Sequence, residues 1–151
     1  MSNCSNSDPA DQLAIRSTLN AYARACDQRD WDAFDNIFTD EVSVDYGGVF
    51  RLQGRQAVVD MIRSMLGGCG PTQHLLGNYD IEVHGDAACS ACYVRAIHAG
   101  TGAQSDTLYE VWAEYRDALA RIGDGWRIVE RSMIVHKETG DRGILQPAPE
   151  G

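Results

Sequence analysis

The apolar residues of this chain change their spacing part-way along it, from a helical period to a period of two. Near the start, Ile15, Leu19, Tyr22 and Cys26 follow the i, i+4, i+7, i+11 spacing of one helix face. From residue 72 onward the chain reads as four long strands, predicted at 72–84, 86–99, 105–121 and 125–137. Their connections are short and rich in glycine, which favours antiparallel neighbours. The helices therefore come early and a meander of strands comes late.

The region between these two parts carries further signals of order. Ser7 or Asp8, followed by Pro9, marks the start of the first helix, and Asp30 can cap a short second helix over 31–38. Alternating residues around Gly47-Gly48 predict a hairpin, and a third helix is predicted over 55–66, ended by the glycine-rich stretch 67–71. The predicted order α-α-β-β-α-β-β-β-β belongs to an α+β fold, with helices on one face of a curved, mostly antiparallel sheet.

Length and charge limit the classes of function. A chain of 151 residues suits one domain, predicted over 11–137 between a disordered arm (1–10) and a flexible tail (138–151). With 22 acids against 13 Lys plus Arg, the net charge of −9 disfavours nucleic acid and anionic membranes as partners. The N-terminus lacks signal-peptide features and no run approaches the roughly 18 apolar residues of a membrane span, so we expect a cytoplasmic protein with a small-molecule or protein partner.

The five cysteines are scattered, which favours reduced thiols over a disulfide framework. Cys89 and Cys92 form a C-x-x-C, but residues three apart in a strand point to opposite faces, which argues against redox chemistry. No second pair has the spacing of a zinc site, and no glycine-rich phosphate loop follows a strand. We therefore expect no metal and no organic cofactor.

Several polar residues stand where they are not needed for folding. Asp27 ends the first helix, where the helix dipole opposes a negative charge, so it needs compensation if it is more than a solvated loop acid. His74 opens the first long strand, on the predicted face of Leu76 and Asn78, and could be a packed histidine or a base.

Two further polar residues fall in apolar rows of later strands. His98 follows Cys92, Val94 and Ala96 on one face of the second long strand. Arg131 lies among Val129, Met133 and Val135, where a guanidinium is costly unless it is paired. It either forms a structural bridge with Glu110 or Glu114 or contacts a substrate.

Over about residues 11–137 the chain resembles the SnoaL-like branch of the nuclear transport factor two-like, cystatin-like α+β superfamily. The resemblance implies a conical fold around a pocket. In the scytalone dehydratase, bile-acid dehydratase and hexachlorocyclohexane dehydrochlorinase branches, an aspartate ending helix one and a histidine opening the first long strand form the catalytic pair. Asp27 and His74 match these positions. Tyr22 and Tyr46 look like pocket tyrosines, Arg131 like the pocket arginine, and His98 like a second polar pocket group.

The resemblance implies a cofactor-independent lyase, with a dehydratase of a small hydrophobic cyclic molecule as the leading hypothesis. His74 would remove a carbon-bound proton, Asp27 would orient it, and Tyr46 would polarise a carbonyl or protonate the departing hydroxyl. Arg131 would stabilise anionic charge, while Tyr22 and His98 would contact the substrate.

Other functions remain open at this stage. An isomerase or cyclase would use the same base. A noncatalytic ligand-binding protein, or the small subunit of an aromatic-ring dioxygenase, would not need the Asp27–His74 pair. An epoxide hydrolase ranks third, because that branch uses an Asp-Arg-Asp set. We also expect a homodimer or homotrimer through the sheet face that carries Trp112, and a pocket mouth flanked by two mobile segments, 67–71 and the tail after Gly140.

Overall fold

The computed structural model describes residues 8–151, which form two α-helices and a six-stranded sheet. The helices are α1 (Pro9–Gln28) and α2 (Arg55–Leu66). The strands are β1 (Phe38–Tyr46), β2 (Phe50–Gln53), β3 (Thr72–His84), β4 (Ala87–Ala99), β5 (Leu108–Ile122) and β6 (Gly125–Gly140). Short 3₁₀ turns cover Asp32–Asn36, Gly102–Gln104 and Arg142–Ile144. Most of the arm predicted over 1–10, with Cys4, lies outside the described residues.

The sheet has the strand order β2-β1-β6-β5-β4-β3. Neighbouring strands are antiparallel except for β1 and β6, which are parallel. α1 packs against β3 and β6, and α2 packs against β1. This confirms the predicted α+β class and the mostly antiparallel sheet.

The two α-helices follow their sequence signals closely. Asp8 caps α1 by accepting a hydrogen bond from the Ala10 N–H, and Pro9 occupies the first turn. The predicted apolar face of α1 is buried, and α2 has the predicted bounds. Both helices therefore bury one face on the same core, as their spacing indicates.

The helix predicted over 31–38 is wrong, because only a 3₁₀ turn, Asp32–Asn36, forms there. Asp30 does accept a hydrogen bond from the Ala33 N–H at 3.2 Å, as a cap would. The chain then enters β1, since Ile128 donates its backbone N–H to the Ile37 carbonyl and Phe38 pairs with Ile128. Pairing with the last strand overrides the local helical preference.

Bulges in β3 and β6 break the period of two that the sequence predicts. In β3 the register shifts between Gly77 and Asp80, and Asn78 is exposed with a φ of 54°, so Asn78 does not share the face of His74. In β6 a register shift places Ile128 and Arg131, three residues apart, in the core, which takes Val129 off the row of Arg131. A single extra residue reverses which face the following side chains occupy.

The segment predicted as a period-free tail has defined contacts. β6 continues to Gly140, and Ile144 in the turn beyond it is fully buried. Gln146 donates its N–H to the Met65 carbonyl at 2.8 Å and accepts the Gly68 N–H at 2.7 Å. The tail therefore lies against the end of α2 and the glycine-rich loop; the mobility expected of both segments stays a prediction.

Candidate active site

A cavity of about 220 Å³ opens between the concave face of the sheet, α2 and the tail. Its wall is mostly apolar and includes three methionines, Met61, Met65 and Met133. The polar side chains in the wall form two groups. One contains Tyr22, Tyr46 and Tyr115, and the other contains His74, His98, Tyr109, Glu138 and Arg142.

Asp27 and His74 are in contact at one side of this cavity. The Asp27 Oδ1 lies 2.7 Å from the His74 Nδ1, and the carboxylate also accepts the His74 backbone N–H at 2.9 Å and the Thr72 hydroxyl at 3.0 Å. Since a carboxylate accepts, Nδ1 carries the proton, and Nε2 is the nitrogen left available as a base.

These hydrogen bonds supply the compensation that a carboxylate at a helix C-terminus requires. Burial alone would raise the pKa of the Asp27 carboxyl, but the hydrogen bonds from His74 and Thr72 outweigh it and lower the pKa. Asp27 is therefore ionised at neutral pH, and it is not a solvated loop acid.

Arg29, which the sequence analysis did not single out, holds this corner of the site together. Its guanidinium donates to the carbonyls of Leu66 and Gly70, both at 2.8 Å, and to the Thr72 hydroxyl at 2.8 Å. It also donates to the Cys26 carbonyl at 2.7 Å. These contacts join the ends of α1 and α2, the glycine-rich loop and the start of β3, so they place Asp27 against His74.

Tyr22 and Tyr46 meet at the base of the cavity, where their hydroxyl oxygens lie 2.9 Å apart. Both are buried, and burial raises the pKa of the Tyr46 phenol to about 12. The hydroxyl therefore stays protonated at neutral pH and can donate to a substrate oxygen. Tyr115, which sequence reasoning placed only on an apolar face, lies beside Tyr22 with ring centroids 5.7 Å apart.

Arg131 is fully buried and does not line the cavity. Its guanidinium lies between the rings of Tyr22 and Tyr115, 4.2 and 4.0 Å from their centroids. It pairs in bidentate fashion with buried Asp117, at 2.7 and 2.8 Å. This geometry does not support the predicted contact between Arg131 and a substrate. Arg131 instead packs against the rings of Tyr22 and Tyr115 outside the cavity wall.

The partners suggested for Arg131 are also corrected. Glu110 and Glu114 face outward, where they pair with Arg95 and Arg116. Period two along β5 places Asp117 on the face of Tyr115, and this signal in the sequence could have identified it.

His98 lies beside His74, with ring centroids 5.5 Å apart. Its Nδ1 is 3.1 Å from the Tyr109 carbonyl, which can only accept, so Nδ1 donates. Burial, reinforced by the neighbouring His74, lowers the pKa of His98 to about 4. His98 is thus a neutral group in the cavity wall.

Tyr109, Glu138 and Arg142 complete the polar part of the wall. The Tyr109 hydroxyl donates to the Glu138 carboxylate, and an Arg142 Nη1 lies 3.8 Å from the same carboxylate. Sequence reasoning missed Glu138 and Arg142 because it ended the last strand at Lys137. It also did not include the register shift between Val135 and Lys137, which brings Glu138 onto the face of Val135.

Other features bear on the kind of site this is. Among residues 8–151, no three His, Cys, Asp or Glu side chains are grouped as a metal ion would require. Cys89 is exposed while Cys92 is buried, so the C-x-x-C pair faces opposite sides as predicted. None of the helices in this part of the chain is long and apolar enough to cross a membrane.

Residues 8–132 match the model of the SnoaL-like domain. This chain belongs to the SnoaL-like domain family. An uncharacterized protein of Mycobacterium tuberculosis, Rv2910c, is 34% identical over 125 residues, which cover 81% of this chain and 83% of that protein. The family assignment agrees with the resemblance found in the sequence.

Solved structures of nuclear transport factor two-like proteins share the fold. A Novosphingobium aromaticivorans protein provisionally named aromatic ring hydroxylase has a TM-score of 0.79 at 25% identity, covering 87% of this chain and 94% of its own. A protein of the same organism, provisionally named scytalone dehydratase, has a TM-score of 0.78 at 18% identity, covering 94% of this chain and 95% of its own. A type 2 hexachlorocyclohexane dehydrochlorinase has a TM-score of 0.77 at 19% identity, also covering 94% and 95%. Neighbours with this fold therefore include enzymes named for elimination reactions.

Proposed function

We propose that this protein is a cofactor-independent lyase that eliminates water from a small hydrophobic cyclic molecule. The observation that carries the proposal is the contact between Asp27 and His74 at the wall of a mostly apolar cavity. A partly buried carboxylate–imidazole pair of this kind is an arrangement suited to abstracting a proton near neutral pH. The structural neighbours named as a dehydratase and a dehydrochlorinase support the same reaction class.

The cavity limits the substrate. Its volume of about 220 Å³ lies below the roughly 300–1,000 Å³ of pockets that take drug-sized ligands. The methionines in its wall are flexible apolar side chains that can adapt to a ring. A small cyclic molecule with few charges fits these properties.

His74 and Tyr46 can carry out every proton transfer that an elimination of water requires. The Nε2 of His74 takes a proton from a carbon next to a carbonyl, and the C–H electron pair delocalises onto the carbonyl oxygen. Tyr46, hydrogen-bonded to Tyr22, donates to that oxygen as negative charge develops. The carbon–oxygen bond at the adjacent carbon then breaks, and the departing hydroxide takes the proton from the imidazolium and leaves as water. The enzyme ends in its starting state.

Asp27 acts on this reaction through His74. It fixes the tautomer that leaves Nε2 unprotonated, and its charge stabilises the imidazolium formed after proton transfer. Asp27 is therefore a positioning residue in this proposal, whereas His74 and Tyr46 touch the reacting atoms.

A panel of small cyclic β-hydroxy ketones tests the reaction class. Elimination produces a conjugated enone, so we expect a rise in ultraviolet absorbance and a product that is lighter than the substrate by the mass of one water molecule. In D₂O, uptake of deuterium at carbon with no loss of water would favour an isomerase or cyclase instead. Binding without exchange or elimination for every member of the panel would favour a noncatalytic ligand-binding protein.

Substitution of the pair gives the first prediction. Asp27→Asn keeps the side-chain shape but removes the charge, so we expect turnover to fall on the order of 10²-fold or more. His74→Ala should lose about as much, and the double variant should be little worse than either single one, because the two residues act as a unit. Asp30→Asn, three residues away, is the matched control and should be neutral.

The same pair can be examined without a substrate. The Nδ1 proton of His74 should give a downfield NMR signal in the wild type and Asp30→Asn proteins that moves upfield in Asp27→Asn, since a hydrogen bond to a charged carboxylate is stronger than one to a neutral amide. An unchanged signal in all three proteins would contradict the proposed role of Asp27.

A further inference from the structure

Glu138 and Arg142 form an ion pair in the cavity wall across from the proposed base. The strand register connects His74 to Ala96, Ala96 to Val111, and Val111 to Glu138. Three strand spacings separate the backbones of His74 and Glu138 by about 14 Å along the sheet. A ligand that touches His74 at one end can therefore meet Glu138 at its other end.

The two charged groups are held in different ways. The Glu138 carboxylate accepts the Tyr109 hydroxyl, and Tyr109 in turn accepts the His98 Nδ1–H on its backbone carbonyl. Within residues 8–151, Arg142 donates no side-chain hydrogen bond, and its ion-pair partner is Glu138 at 3.8 Å. The site thus offers a fixed acceptor next to a guanidinium with unused donors.

The backbone around Arg142 is anchored although it lies beyond the last strand. Asp141 donates its N–H to the Leu108 carbonyl at 3.0 Å and accepts the Gly143 N–H on its side chain at 2.8 Å. Ile144 is fully buried two residues after Arg142. Packing therefore sets the position of the Arg142 backbone beside the cavity, and its side chain, 54% exposed, reaches Glu138 from there.

We propose that Glu138 and Arg142 are specificity residues that select a substrate with a neutral hydroxyl group at the end far from the carbon that His74 deprotonates. A hydroxyl both donates and accepts, so it can donate to Glu138 and accept from Arg142 at the same time. A carboxylate in this place meets the charge of Glu138, and an ammonium meets that of Arg142. The substrate class is thus a small cyclic molecule with a neutral hydroxyl distal to the reacting carbon.

This inference rests on the proposed function in taking the cavity as the substrate site, but it is tested by binding alone. The probes share one ring system and differ in the polar group: 2-naphthol, 2-naphthoate and 2-naphthylmethylammonium at pH 7. Dissociation constants are measured by fluorescence for the wild type, Glu138→Gln and Arg142→Gln. Arg116→Gln, which breaks an exposed ion pair with Glu114 on the outer face, is the matched control.

We expect wild type to bind the naphthol about tenfold or more tightly than either charged probe. Glu138→Gln should shift the preference toward the naphthoate, and Arg142→Gln toward the ammonium, because each variant leaves one charge unopposed. Arg116→Gln should behave as wild type. A purely structural role of Glu138 and Arg142 would not produce this crossed pattern, in which the two variants change their probe preference in opposite directions.

Three results would overturn the inference: tighter binding of a charged probe than of the naphthol by wild type, no binding of the naphthol, or an equal change for all probes in both variants. The proposed function fails separately, through the elimination assay. If the crossed binding pattern were found but no substrate underwent elimination, the specificity site would remain supported and the proposed lyase activity would be contradicted.

Discussion

At the scale of single residues, identical side chains have different roles because their hydrogen bonds differ. His74 donates Nδ1 to a carboxylate, whereas His98 donates Nδ1 to a backbone carbonyl. Of the two histidines, only His74 has a carboxylate partner. Burial keeps His98 neutral, so His98 makes the stability of the folded protein depend on pH.

The second prediction concerns that pH dependence. Burial lowers the pKa of His98 from 6.5 to about 4 in the folded protein. Between these values the unfolded chain binds a proton that the folded protein does not, so stability is greatest above pH 6.5 and falls as the pH drops toward 4. The loss attributable to His98 is roughly 3 kcal/mol at most.

Urea denaturation from pH 7 to pH 4 measures this loss. His98→Asn retains a donor for the Tyr109 carbonyl but has no titrating ring, so its free energy of unfolding should fall less over this range. His84→Asn, on the exposed end of β3, is the control and should follow wild type. Parallel curves for wild type and His98→Asn would show that His98 is not the responsible group.

At the scale of elements, the site depends on where helices and strands end. Asp27 lies in the last turn of α1, His74 lies near the start of β3, and Arg29 joins both ends to the glycine-rich loop. Glu138 and Gly140 belong to the last residues of β6. The ends of helices and strands therefore supply most of the polar groups of the site, whereas the middle of each strand supplies the apolar wall of the cavity.

The third prediction concerns the turn that leads β6 into the tail. Gly140 has a φ of 89°, and a Cβ there would lie 2.0 Å from the Leu108 carbonyl oxygen. Gly140→Ala should therefore displace the tail and destabilise its packing by about 1–3 kcal/mol. We expect faster hydrogen exchange at the Gln146 amide, which donates to the Met65 carbonyl.

Gly85→Ala separates the conformational cost of a positive φ from the steric contact with Leu108, the two causes of the expected effect of Gly140→Ala. Gly85 also has a positive φ, 65°, but a Cβ there would meet no atom within 4 Å. Its substitution should carry the conformational cost alone and leave exchange at Gln146 unchanged. Equal effects of both substitutions on Gln146 would argue against the steric contact with Leu108.

At the scale of the whole molecule, the outer face of the sheet is the surface to consider for self-association. Arg95 pairs in register with both Leu75 and Trp112, and Glu114 pairs with both Tyr93 and Ile134. The four apolar side chains are 37% to 56% exposed. A mixed patch of this kind, with apolar residues around paired charges, has the composition of an interface.

The fourth prediction is that the protein is a homodimer or homotrimer through this patch. Light scattering after size-exclusion chromatography should give a multiple of the 16.6 kDa chain mass. Trp112→Glu should shift it toward the monomer, because a charge is costly in a desolvated interface centre. Leu13→Glu, at an exposed apolar residue of α1, should not. A monomeric wild-type protein at about 100 μM, well above the Kd of a stable dimer, would contradict this prediction.

The sequence by itself determined the elements whose signals are local. Caps, periodicity and glycine turns predict both α-helices, the hairpin and the four long strands, because these features depend on neighbours a few residues away. The family resemblance adds the pairing of Asp27 with His74, which no local rule predicts. The same signals fail at 31–38, where a strand contact from β6 decides the conformation.

Only the tertiary structure decided which polar residues reach the cavity. Arg131 and Asp117 lie fourteen positions apart, and their burial behind Tyr22 and Tyr115 follows from strand register and from the bulge in β6. Glu138 reaches the wall because β6 extends beyond its predicted end and its register shifts between Val135 and Lys137, and Arg142 reaches it because the tail folds back. Bulges and strand ends shift side chains from one face to the other by single residues, and that choice depends on long-range pairing, which a reading of periodicity does not contain.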